Sequence, residues 1–234
     1  MEKYILTTKY LQKIIDKRKE LNNPEKSGLL KINRIIKIAD YLENLLRRFE
    51  DNQIENFDKI FNITLNNRNS PDDRINDMFA ELWGAEHLIK QSYSVIKYNP
   101  KKYDFDCEKG KNKYAVEVEC LRGPSYKRQK RVEIKLRSGL PAPYIVNSEP
   151  EIKRIKGKIA GGISQLNKWA KNSKKIVIIV TNDEAHVNFD SIAGDIKKFR
   201  KNIGKKYKCR IDVVPYHPLL NIANEYEQHT VDSV

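Results

Sequence analysis

Two neighbouring segments carry the residues whose types and spacing could do chemistry. Tyr103-Asp104-Phe105-Asp106-Cys107 is followed by a Lys/Gly/Asn turn and then by Tyr114-Ala115-Val116-Glu117-Val118-Glu119-Cys120. Strict alternation on both sides of a glycine predicts a β-hairpin centred on Gly110-Lys111. In that register Asp104 faces Glu117, and Asp106 faces Ala115. Side chains alternate across a strand, so Asp104, Asp106, Glu117 and Glu119 share one side. Phe105, Cys107, Val116, Val118 and Cys120 occupy the other and can enter a core. Like charges on one sheet face repel each other unless a cation neutralises them. Mg²⁺ and Mn²⁺ favour carboxylate, water and phosphate oxygens. Such ions activate water and stabilise the charge that develops in phosphodiester hydrolysis. Asp104 and Glu117 are the expected metal ligands, with the Val118 carbonyl beside them. Glu119 is a third ligand or orients the attacking water. A solvated acidic ribbon is the plain alternative.

Glu81 adds a fourth carboxylate. Met78, Glu81, Ala85 and Leu88 step by three and four residues, which sets Glu81 inside the apolar stripe of a helix. A carboxylate there is costly unless it is paired or bound to a cation. It supports the metal site or forms a salt bridge with a nearby Lys or Arg.

The elements that must position these groups can be read from pattern and breakers. Residues 1–68 are expected to form a separate helical region. Thr8 caps a first helix, Ser27 opens a longer one through Leu42, Leu46 and Phe49, and a third carries Ile54, Phe57, Ile60 and Phe61. The long helix also bears Lys31, Arg34, Lys37, Arg47 and Arg48, a solvated face or a nucleic-acid contact. Asn66 to Pro71 reads as a linker. Ser70, Pro71 and Asp72-Asp73 signal a helix start, and that helix runs to about Gln91. A strand at 93–98 and the hairpin follow. Then come a basic stretch, a helix at about 151–171, an apolar strand at 175–181, a helix at about 190–202 and a strand at 210–214. The order α-β-β-β-α-β-α-β spans a domain at 70–220, with a tail at 221–234.

A helix bearing a glutamate, a strand, D-x-D, and about a dozen residues later E-x-E on the next strand resemble the PD-(D/E)xK nuclease superfamily, over roughly residues 72–215. The resemblance implies an α/β fold of restriction-endonuclease-like type, a mixed β-sheet flanked by helices. It implies that Asp104, Glu117, Glu119 and Glu81 are catalytic, the first three binding Mg²⁺ or Mn²⁺. Tyr103 stands where the family has proline, and Glu119 stands where most members have lysine. Arg131-Val132-Glu133-Ile134-Lys135 contains a literal E-x-K. Glu133 nevertheless alternates with basic residues, so Glu117 and Glu119 are preferred, and Lys135 is a candidate for the missing lysine.

Charge names the partner. The chain has 234 residues and a formal charge of +14. Residues 121–175 hold fifteen basic and three acidic side chains, so +12 of that charge follows directly after the carboxylate strand. A polyanion such as nucleic acid fits this excess. Arg122, Lys127, Arg128, Lys130, Arg131, Lys135, Lys156, Lys158 and Gln165 are the expected contacts. Gly123-Pro124 and the Gly/Pro-rich 138–143 suggest an arm, and Gly161-Gly162 suggest a close backbone approach inside a helix. Three cysteines without ligand spacing, no long apolar run and no secretory leader pattern suggest reduced thiols in the cytoplasm and no membrane partner. The function expected is a Mg²⁺-dependent DNA endonuclease, acting as a homodimer with one site per strand. The alternatives are a nucleic-acid-binding protein with a degenerate nuclease core, or a nuclease for RNA or branched DNA.

Overall fold

In the computed structural model, residues 5–10, 12, 39–62, 71–121, 148–181 and 189–215 are described. They form helix α1 (Ala39–Asp51), a 3₁₀ turn (Phe57–Phe61), α2 (Pro71–Lys90), β1 (Ser94–Tyr98), β2 (Phe105–Lys109), β3 (Asn112–Leu121), α3 (Ser148–Trp169), β4 (Lys174–Thr181), α4 (Phe189–Tyr207) and β5 (Cys209–Pro215). The fold is mixed α/β, with one five-stranded sheet in the order β1-β2-β3-β4-β5. β1, β2 and β3 are antiparallel, whereas β3, β4 and β5 are parallel. The change falls at β3, because a two-residue turn joins β2 to β3 while whole helices join β3 to β4 and β4 to β5.

The hairpin has the register set by its turn. Phe105 lies opposite Val116, Asp106 opposite Ala115 and Lys109 opposite Asn112. Gly110 sits at φ 60°, a conformation that costs glycine nothing and opens a type II′ turn. Alternation then separates two apolar clusters. Phe105, Cys107, Val116, Val118 and Cys120 pack with Met78, Leu82, Ala85 and Leu88 of α2. Ala115 and Leu121 pack on the other face with Ile155, Ile159, Ile163 and Leu166 of α3. β4 contributes Ile176 and Ile178 to the first cluster and Val177 and Ile179 to the second, as a central strand must. The three cysteines are buried and outside any disulfide, and burial pushes the Cys107 thiol up to about 12.

The N-terminal helices share the α2 cluster: Leu6, Tyr10, Leu42, Leu45, Leu46 and Phe49 are buried with it. The buried Glu86 of α2 fastens this contact, accepting from Tyr41 Oη at 2.6 Å, from Arg48 at 2.8 Å and from Lys90 at 2.9 Å. Arg48, expected on an outward basic face, is thus a tether, and Arg47 reaches Glu43 on its own helix at 3.2 Å. Thr8 lies within a helical stretch at 5–10 rather than capping one. The helix begins earlier because Glu43 of α1 accepts the Thr7 N–H at 2.8 Å and the Thr7 hydroxyl at 3.0 Å, supplying the cap from another helix. Next to the 3₁₀ turn, Glu55 N–H donates to Ile96 O and Tyr98 N–H donates to Glu55 O, which covers the β1 edge. The third helix is this single 3₁₀ turn. Lys31, Arg34, Lys37, the Ser27 cap and residues 66–70 of the expected linker lie outside the described residues, and Pro71 begins α2.

At the next residue of α2 after Glu86, the buried Asp212 of β5 bonds His87 at 3.0 Å, and it also bonds Arg210 at 2.9 Å. Burial alone would raise the Asp212 carboxyl, but the hydrogen bonds from His87 and Arg210 hold it below its ordinary value.

At Gly84, α2 packs tightly against β3. A Cβ there would lie 2.6 Å from Val118 Cγ2, a branched side chain that cannot swing away. Gly84→Ala gains about 1 kcal/mol of helix propensity and loses about 1–3 kcal/mol to overpacking. Denaturant melts should show a net loss in the native background. They should show a gain for the same substitution made on Val118→Ala protein.

Candidate metal-binding carboxylate site

Asp104 occupies the position just before β2. Its N–H donates to Val116 O at 3.1 Å, and its Oδ2 accepts the Val118 N–H at 2.6 Å. These bonds extend the hairpin by one pair and set Asp104 across from Glu117. The loop before it is fixed from the same strand. Tyr103 Oη donates to Asp106 Oδ1 at 2.5 Å, Asn99 Nδ2 donates to Asp106 Oδ2 at 3.0 Å, and Asn99 N–H donates to Asp104 O at 2.7 Å. Asp106 falls on the carboxylate side, as alternation requires, but both its oxygens hold the loop that presents Asp104.

Glu117 is buried, and its Oε2 has no hydrogen-bond partner among the described residues. Burial first, then the charges of Asp104, Glu119 and Glu81, push its carboxyl well above the usual range. Asp104 is raised too, chiefly by burial and also by Glu119 and Asp77, against the lowering effect of its bond from Val118. These mutual effects bring Asp104, Glu117, Glu119 and Glu81 into one neighbourhood. Glu81 accepts a 2.6 Å hydrogen bond from Tyr98 Oη, and burial followed by the Glu81 charge raises the Tyr98 hydroxyl. Asp77 precedes Glu81 by one turn of α2 and adds to the same negative field.

Glu119 has a different fate. Lys158 of α3 reaches its Oε2 at 2.8 Å, with the lysine 39% and the glutamate 18% exposed. Such a pair is worth little as an isolated surface bridge. Here it sets a cation at the solvent side of the carboxylates. α3 reaches this place through its glycine pair. A Cβ on Gly161 would lie 3.4 Å from Glu119 Oε1, and one on Gly162 would lie 3.3 Å from Glu117 Cγ and 3.1 Å from Val177 Cγ1. Gly162 lets the helix backbone pack closely over Glu117, and Gly161 sits at ordinary contact distance from Glu119.

The other expected contacts separate. Gln165 donates to Lys102 O at 3.2 Å, so it bonds the loop before Asp104 rather than the acids. Lys156 lies 5.3 Å over the Phe199 ring and faces α4. Arg122, Lys127, Arg128, Lys130, Arg131, Glu133 and Lys135 lie outside the described residues. Tyr98, Asp77 and the Lys158–Glu119 pair were not assigned from sequence. The phenol at the end of β1 and the acid one turn before Glu81 were the available signals.

The site fits a hard divalent cation by its donors: carboxylate oxygens, one buried and unpartnered, with like charges crowding it. Among the described residues, no three His, Cys, Asp or Glu side chains stand ready to hold a metal as a group. The Val118 hydrogen bond to Asp104 and the Lys158 bridge to Glu119 engage two of the acids. Comparisons with protein families, curated proteins and solved structures found no match to the chain.

The raised carboxyls make a signed prediction. Asp104 and Glu117 bind protons more tightly in the folded than in the unfolded chain, so the unfolded state sheds them first. Stability from these two groups is therefore present at low pH and is lost as pH rises above their ordinary values of 3.8 and 4.5. Glu117→Gln should raise the metal-free Tm at pH 8 and change it little at pH 4. Equal shifts at both pH values would show that Glu117 carries no charge penalty.

Proposed function

We propose that the chain is a metal-dependent endonuclease that hydrolyses DNA and has a restriction-endonuclease-like fold. The observation that carries this reading is the buried Glu117 oxygen beside Asp104, which has no hydrogen-bond partner among the described residues. The sheet order and the switch from antiparallel to parallel pairing at β3 support the fold assignment. Asp104 and Glu117 would hold Mg²⁺ or Mn²⁺, and Glu119 would complete the set or orient water. A bound ion of this kind supplies Lewis acidity and a water acidic enough to deprotonate near neutral pH.

The chain's own residues do the rest. Tyr98 donates to Glu81 and holds that carboxylate in orientation. Asp106 holds the loop that presents Asp104. Lys158, anchored on Glu119, supplies the ammonium missing from the E-x-E strand and can meet a phosphate oxygen or a water held by Glu119. In this reading Lys158, not Lys135, takes the place of the family's lysine. Duplex DNA with one scissile bond per strand favours a homodimer, and the cation-rich sequence after β3 would bind the backbone. RNA and branched DNA are the competing substrates.

A second reading has its own support. The Lys158–Glu119 bridge neutralises one acid, as in a nuclease-like core that binds nucleic acid without cutting it. One experiment separates the two. Supercoiled plasmid is incubated with Mg²⁺ or Mn²⁺ and native, Asp104→Ala, Glu117→Ala or Lys158→Met protein, with linear, single-stranded, branched and RNA substrates in parallel. Each carboxylate variant should lose about a hundredfold or more in cutting rate, and Lys158→Met about tenfold to a thousandfold. Cutting that persists in both carboxylate variants contradicts the site. Binding without cutting on every substrate favours the second reading.

A further inference from the structure

Two aromatic side chains stand out in solvent at one end of the molecule. Trp169 ends α3 and is 46% exposed, and Tyr207 ends α4 and is 37% exposed. α3 leads into β4 and α4 into β5. These strands run parallel, with Lys175 opposite Cys209. Both helix ends therefore lie at the sheet edge where β4 and β5 begin. Among the described residues the other exposed large apolar side chains are Ile5 and Val95, on different elements.

The surroundings of the two rings are cationic. Residues 168–175 and 197–208 contain eleven basic side chains and no acidic one. Lys168 Nζ lies 4.9 Å from the centre of the Trp169 ring, and Lys206 Nζ lies 5.2 Å from that of Tyr207. Lys171 and Lys174 are exposed between them in sequence, at the α3–β4 connection. Lys174 pairs with Tyr114 of β3, three residues before Glu117, so this edge lies about 10 Å along the strand from the carboxylates.

We infer that this edge binds an unpaired stretch of nucleic acid, with bases stacked on Trp169 and Tyr207 and phosphates against the flanking lysines. Lysines alone would attract any polyanion. Flat rings add a partner for exposed base faces, and such stacking contributes about 1–3 kcal/mol per base irrespective of sequence. A duplex hides those faces. An anionic membrane would call for an aliphatic surface around the aromatics, and the residues between Trp169 and β4 are lysine, asparagine and serine apart from the buried Ala170. The surface goes beyond the hydrolytic site and does not depend on a metal or on cutting.

The test uses the whole 234-residue chain in EDTA, carrying Glu117→Gln so that any cutting is removed. Trp83 is 2% exposed, so quenching of tryptophan emission by an added oligonucleotide reports Trp169. Oligothymidylate should quench it saturably, and more weakly as salt rises. Measured separately by filter binding, Trp169→Ala and Tyr207→Ala should each weaken oligothymidylate binding about fivefold to a hundredfold. Trp169→Phe should retain most of the affinity, and Trp169→Leu should not. Native-like thermal melts of these surface variants show that loss of binding is not loss of fold. The inference is overturned if Trp169→Ala binds oligothymidylate as tightly as the parent. It is also overturned if a duplex of equal length depends on Trp169 as strongly, or if phosphatidylserine vesicles quench Trp169 where oligothymidylate does not. Failure of plasmid cutting in the metal-dependent assay leaves these outcomes unaltered.

Discussion

The structure depends on one unfavourable interaction: several carboxylates held together where burial makes their charge expensive. Glu117 is surrounded by protein and faces the fields of Asp104, Glu119 and Glu81, while one of its oxygens has no partner among the described residues. A sequence selected only for stability would place an apolar residue there, as β3 does on its other face with Val116 and Val118. The cost is tolerated because both layers brace the acids. α2 adds the charges of Glu81 and Asp77 but packs its apolar stripe against the strands that carry the acids, and α3 brings the cation of Lys158 and a glycine pair from the other side. The hairpin fixes Asp104 through backbone bonds that its own register dictates.

The surrounding fold stiffens the elements that carry the acids. Glu86 ties the N-terminal helices to the C-terminal part of α2, and Asp212, through the adjacent His87, ties the same part to β5. Gly84 seats the same helix against Val118. These three fastenings lie within two turns after Glu81 and hold that part of the helix against the sheet. Rigidity of this kind is what a preorganised charge cluster needs, since relaxing the acids apart would remove their mutual repulsion and their affinity for a cation together.

Much of the sheet could be read from the chain because its signals are local. Alternation in 103–107 and 114–120, with Gly110 at the turn, predicts the hairpin register, and that register places Asp104 across from Glu117. The apolar run at 175–181 marks a central strand, and Pro71 marks the first residue of α2. What stayed hidden depends on how distant elements dock. Lys158 is one of many lysines in a basic helix, and only the fold brings it to Glu119. Arg48 resembles a solvated cation until Glu86 is seen beneath it. Asp106 shares its face with the site acids, yet Tyr103 and Asn99 engage both its oxygens. Gly161-Gly162 signalled a close approach, but not that its targets are Glu117 and Glu119. The alternation rule says which side a carboxylate takes and is silent about its partners.

The central claim is that Asp104 and Glu117 form a charge-strained pair that a divalent cation relieves. Isothermal titration of Mn²⁺ into the protein near pH 7, in buffers of different ionisation enthalpy, tests it directly and needs no substrate. The account predicts saturable uptake accompanied by proton release, because the raised carboxyls must ionise to bind the ion. Both the uptake and the released protons should fall in Glu117→Gln protein. Absence of uptake, or uptake unchanged by that substitution, would contradict the account.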